Sequence, residues 1–94
     1  METVTVLREA SERLGIPEDT LLRESFTSYL RERKRALMAE RFEMLSRHGV
    51  NSPEELKGRI EEGEVPEHST WEDYIELTNL EDELARLEDH LRSL

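Results

Sequence analysis

Between Pro17 and Gly49 the chain has neither proline nor glycine, and Leu22, Phe26, Tyr29, Leu30, Leu37, Met38, Phe42 and Leu45 recur there at helical spacing. One helix of about 30 residues follows, roughly 45 Å long at 1.5 Å per residue. Glu18 and Asp19 place negative charge at its start and Arg47 and His48 place cations in its last turn, as the helix dipole favours. A rod of this length takes up a third of a 94-residue chain, and few monomers of that size can cover both of its ends.

The remaining segments arrange themselves around that rod. Before it, VTVLREASERL carries Val6, Leu7, Ala10 and Leu14 at helical spacing and stops at Gly15, while Pro17 suits the first turn of what comes next. After it, Ser52-Pro53-Glu54-Glu55 reads as an N-cap, a proline at the first helical position and a capping-box glutamate, starting a short helix to about Glu62. GEVPEH, residues 63–68, reads as a polar connector held extended by Pro66. Ser69 with Glu72 repeats the capping-box pattern, so a last helix is expected from about Trp71 to the end. The expected class is all-α: a short helix, a long central helix, a short helix and an amphipathic C-terminal helix. ETVTV, residues 2–6, alternates briefly and admits a very short N-terminal strand.

The last helix contains the most regular pattern in the chain. Leu77, Leu80, Leu84, Leu87, Leu91 and Leu94 are spaced 3, 4, 3, 4 and 3, edged by Glu81, Asp82, Glu83, Glu88 and Asp89. Such a stripe is not stable alone in water and must dock on the long helix, a second copy or another protein. Stripes at this spacing are most often core. A seam edged with one sign of charge, however, disfavours parallel self-pairing and suits a basic groove. Trp71 and Tyr74 precede it, residue types enriched among the costliest truncations at interfaces, although either equally suits the lid of a small core.

Composition separates the two halves. The net charge of −10 belongs wholly to residues 51–94, which hold four basic and fourteen acidic groups, whereas residues 1–50 hold nine of each. The acidic half repels phosphate backbones and suits a basic protein surface. With no cysteine, neither disulfides nor thiolate metal sites can staple the fold. No apolar run approaches the roughly 18 residues of a membrane span, and METVTVLREA lacks a basic segment followed by a long hydrophobic one, so the expectation is a cytoplasmic protein with no membrane partner.

Nothing in the sequence assembles a reactive site. His48, His68 and His90 are scattered without metal-ligand spacing, and Glu61, Glu62 and Glu64 have no accompanying base, nucleophile or phosphate loop. No cofactor, metal or catalytic residue is expected. The basic run RERKR, residues 31–35, lies within the long helix, is interrupted by Glu32 and has no interleaved aromatics. Its expected role is solubility and pairing with acidic residues elsewhere.

LREASERLGIPEDTLLRESFTSYLRE, residues 7–32, resembles the helix-turn-helix part of ribbon-helix-helix antitoxins, with Leu21-Leu22-Arg23-Glu24-Ser25 at the start of the second helix. RHGVNSPEELKGRIEEGEVPEHSTWEDYIE, residues 47–76, is similar to the tails of small prokaryotic antitoxins. The resemblance implies a type II toxin–antitoxin protein: a homodimer built on the N-terminal half, and a C-terminal segment that blocks a cognate toxin, often a PIN-domain ribonuclease. It also implies a cation set against the toxin's carboxylates, for which Arg86 and Arg92 are the candidates in the last helix. In that family a strand precedes the first helix and reads DNA; here only METVTV precedes it, which argues against operator binding.

The expected organisation is therefore a dimerisation region over residues 1–50 using Leu22, Phe26, Tyr29 and Leu30, a short helix and connector over 51–68, and a partner-binding helix over 69–94. Its partner-binding residues would be Trp71, Tyr74, Leu77, Leu80, Leu84, Arg86, Leu87 and Leu91. The expected function is neutralisation of a toxin by a non-enzymatic antitoxin-like protein. The alternatives are a self-contained helical oligomerisation scaffold and a weak DNA-binding repressor acting through RERKR.

Overall fold

The computed structural model describes residues 2–94 and is all-α: α1 (Thr3–Leu14), α2 (Glu18–His48), α3 (Pro53–Glu61) and α4 (Glu67–Arg92). α2 runs out, α3 turns the corner, and α4 returns antiparallel along α2. That direction is marked by side-chain pairs that step backward along α4 as they step forward along α2: the ion pairs Arg33–Glu83 at 3.0 Å and Arg41–Glu81 at 2.7 Å, and the His48–Asp73 contact at 2.8 Å. The molecule is a rod of 61 × 27 × 16 Å with a radius of gyration of 19.5 Å, against about 12 Å for a compact domain of this length.

Local chemistry explains where the helices stop. α1 ends at Gly15, whose φ of 68° is open to glycine at no steric cost, and the Ile16 amide returns to the Ser11 carbonyl at 3.1 Å. α2 ends the same way at Gly49, φ 64°. Its last carbonyls are also held by α3: the Arg59 guanidinium donates to the carbonyl oxygens of His48 at 3.1 Å and Gly49 at 3.3 Å, placing a cation at the negative end of the long helix. Ser52 caps α3 as its sequence implies, accepting the Glu55 amide at 3.1 Å, and the Glu55 carboxylate reaches back to the Asn51 amide at 2.9 Å. Replacing Ser52 by Ala is expected to cost about 1 kcal/mol and to lower the melting temperature by about 4 to 8 °C, measurable by thermal circular dichroism.

Two expectations are corrected. Residues 2–6 form no strand: α1 begins at Thr3, and no strand exists among the described residues for it to pair with. α4 begins at Glu67, four residues before Trp71, so the connector is shorter than expected and Ser69 and Glu72 lie inside the helix. Pro66, φ −59°, already holds the backbone near the helical value, and Glu67 supplies the favourable first-turn charge, so the chain needs no side-chain cap there.

The core has two parts along the α2–α4 seam. At the α3 end Met44, Leu45, Val50, Leu56, Ile60 and Leu77 cluster, with Val65 and Tyr74 packed against them; further along, Leu30, Leu37, Leu80, Leu84 and Leu87 cluster with Leu91 at their side. On α2 the seam alternates apolar and basic residues: Leu30, Leu37 and Met44 are seven apart, as are Lys34, Arg41 and His48. Each of the three basic residues meets a carboxylate of α4, Lys34–Glu88 at 3.6 Å completing the set. Half-exposed pairs of this kind add little stability but fix register and direction. The seam does not reach the N-terminal end, since no residue from 2 to 29 is buried.

Candidate interaction surfaces

The leucine stripe is covered by its own chain. Leu77 is fully buried, Leu80, Leu84 and Leu87 are buried, and Leu91 is partly buried against the second cluster. Leu77, Leu80, Leu84 and Leu87 are therefore core positions of the single chain, correcting the expectation that they hold a partner. Burial of the leucines against α2 drives the docking, and Arg33 and Lys34 of RERKR, with Arg41 beyond it, answer Glu83, Glu88 and Glu81, so the acidic edge that argued against self-docking finds its complement in the same chain and sets the register. Arg35 pairs within its own helix with Glu32.

The other expected partner-binding residues divide. Tyr74 is half-buried and rests on the α3-end cluster. Arg86 is exposed, and no ion pair holds it among the described residues. Trp71 is 40% exposed and its ring stacks on Tyr74, centroids 5.1 Å apart and planes at 26°. Beside Trp71 lies an open cavity of about 770 Å³ lined by Ile60, Glu61, Glu67, His68 and Glu72, the last two paired at 3.6 Å. This wall was missed in the sequence because the residues on it belong to two elements. Glu67, His68, Trp71 and Glu72 share a helix face only when α4 starts a turn early, and Ile60 and Glu61 come from α3. The one available signal was Pro66, a residue well suited to stand just before a helix.

At the opposite end Leu22, Phe26 and Tyr29 are exposed, by 58, 48 and 63%, whereas Leu30 is buried in the α2–α4 core. Leu30 thus leaves the expected dimerisation set: it faces α4, one helical step around from its neighbours. Leu22 and Phe26 share an open groove of about 470 Å³ with Asp19, Arg23 and the C-terminal Leu94. Met38 and Phe42, four apart on α2, are also exposed.

Among the described residues no group of three or more His, Asp or Glu is placed to hold a metal ion, and no helix is long and apolar enough to cross a membrane. A family model described as "Uncharacterized protein MJ0235 family" matches residues 1–94. The chain belongs to the MJ0235 family. No curated protein and no solved structure matches this MJ0235-family chain.

Proposed function

We propose that the chain is a non-catalytic binding protein that holds a basic segment of a partner protein at the α3–α4 end. The observation that carries this reading is Trp71: a stacked, 40% exposed indole beside an open cavity rimmed by Glu61, Glu67 and Glu72. An aromatic face next to carboxylates attracts Lys and Arg side chains by both cation–π and ionic terms, and Trp is the residue type most often found at the energetic centre of interfaces. The acidic balance of residues 51–94 steers such a partner toward this end.

In the form that the antitoxin resemblance implies, the partner is a toxin ribonuclease whose basic RNA-binding surface the acidic end covers. Co-expression with the product of the adjacent gene, followed by gel filtration, tests this: a stable complex is expected. Trp71→Ala is expected to weaken it by about 30-fold or more while leaving the fold intact. An adjacent product that never co-purifies, or a complex indifferent to Trp71→Ala, removes the reading.

Closure of the leucine seam within one chain favours a second reading, a self-contained helical scaffold, in which the Trp71 end has no dedicated partner. The repressor reading is weakened because Arg33, Lys34 and Arg35, three of the four cations of RERKR, are paired with carboxylates of the same chain.

A further inference from the structure

The chain as a whole carries more exposed surface than a compact monomer of its mass, and no residue from 2 to 29 is buried. The chain exposes 7030 Å², about 1,400 Å² above the roughly 5,700 Å² expected for a compact monomer of 11.1 kDa. A stable pair needs to bury only about 800 Å² on each side. The unburied stretch, residues 2–29, comprises α1, in which nothing is buried, and the first third of α2. A 12-residue helix with no fully buried residue, only Leu7, Ala10 and Ser11 half-buried, is marginal in water on its own propensity.

On this stretch of α2, Asp19, Leu22, Phe26, Tyr29 and Arg33 are spaced 3, 4, 3 and 4, a second heptad seam offset from the one that meets α4. Its centre is apolar and exposed, its first position is an acid and its last a base. The geometry points to a second copy of this chain as the occupant, packed antiparallel across a two-fold axis at Phe26. Asp19 and Arg33 lie seven residues either side of Phe26, so each Asp19 stands opposite the other copy's Arg33, and Arg23 stands opposite Tyr29 in position for a cation–π contact. A parallel pairing would set acid on acid and base on base. Arg33 has capacity for this contact: its Nε and Nη2 serve Glu83 at 3.2 and 3.0 Å, leaving its other terminal nitrogen unpaired among the described residues.

The apolar area agrees with a dimer. Leu22, Phe26 and Tyr29, with Leu94 in the adjoining groove, are each about half exposed and present on the order of 100 Å² apiece. Doubled across the axis this is about 800 Å², close to the roughly 900 Å² of apolar area in an interface of standard size. The pairing leaves the Trp71 end open, because Phe26 and Trp71 lie at opposite ends of the rod.

Sedimentation of the full chain over a range of concentrations is expected to show a dimer, and Phe26→Glu to raise its dissociation constant by about 100-fold or more by burying two facing carboxylates. Phe26 belongs to neither core cluster, so the variant keeps its circular dichroism. An independent arm uses the absence of native cysteine: Phe26→Cys should form a disulfide-linked dimer on mild oxidation, whereas Phe42→Cys, at a position 73% exposed but on another face of α2, should not. A chain that stays monomeric throughout, a Phe26→Glu variant that remains dimeric, or equal cross-linking at both positions overturns the inference.

Discussion

Replacing Leu77 by Ala is expected to lower the stability of the folded chain by about 3 kcal/mol and its melting temperature by about 12 to 24 °C. Leu77 is fully buried at the point where α2, α3 and α4 meet, in contact with the cluster formed by Met44, Leu45, Val50, Leu56 and Ile60. Truncation there leaves a void bordered by three helices, which cannot all close on it together. Leu14→Ala is the matched control: the same chemistry at a position 64% exposed is expected to cost about 1 kcal/mol or less. Thermal melts of the two variants beside the parent chain make the comparison. A Leu77→Ala chain as stable as the parent would mean that the seam is not closed within one molecule, and the expectation of a detachable partner-binding stripe would return.

The second large effect concerns α4 as a whole. A chain truncated after Glu67 is expected to lose helicity well beyond the residues removed, with no cooperative melt. α2 would keep Leu30, Leu37, Met44 and Leu45 as apolar positions with nothing to cover them, and Lys34, Arg41 and His48 without their carboxylates. α3 would retain Leu56 and Ile60 but lose Leu77, against which they pack. A 31-residue helix stripped of its seam is held by local propensity alone, which seldom suffices in water. Ellipticity at 222 nm, normalised per residue, is the measurement. Retention of the parent value, with a sharp transition, would identify α4 as an appendage.

These two outcomes matter for function because they assign the leucines to folding and leave recognition to other residues. Trp71 and the carboxylates around it occupy one end of the rod, and the Asp19 to Arg33 seam the other. If both proposals hold, the molecule pairs with itself at one end and holds a partner at the other, and Phe26→Glu and Trp71→Ala are each expected to remove one without the other.

Much of the architecture was legible in local chemistry. Gly15, Gly49 and Ser52-Pro53 mark three of the helix ends because a positive φ, a fixed φ and a side-chain acceptor are properties of single residues. The start of α4 was not legible in the same way. Ser69 with Glu72 carries the signature of a cap, yet Pro66 acts first along the chain, and a helix already under way has no use for a cap inside it. On α2 the eight apolar positions keep helical spacing, which does not say whether they share one face. They belong to at least two, since Leu30 and Leu37 face α4 whereas Leu22, Phe26 and Phe42 remain exposed. Leu30 and Tyr29 are neighbours in sequence and a hundred degrees apart around the helix, a difference that periodicity blurs when apolar residues lie on both sides.

The sequence by itself determined that this chain is helical, where two of its helices end and a third begins, and that one half carries all of the net charge, because each of these depends on residues acting within a few positions of themselves. Only the tertiary structure decided what covers the leucine stripe. Lys34, Arg41 and His48 lie some 25 to 54 residues from the carboxylates that they meet, and no local pattern states that two distant charge runs share one register. The same holds for the surfaces left over: an apolar residue is core or interface according to what the rest of the chain places beside it, which is a property of the fold.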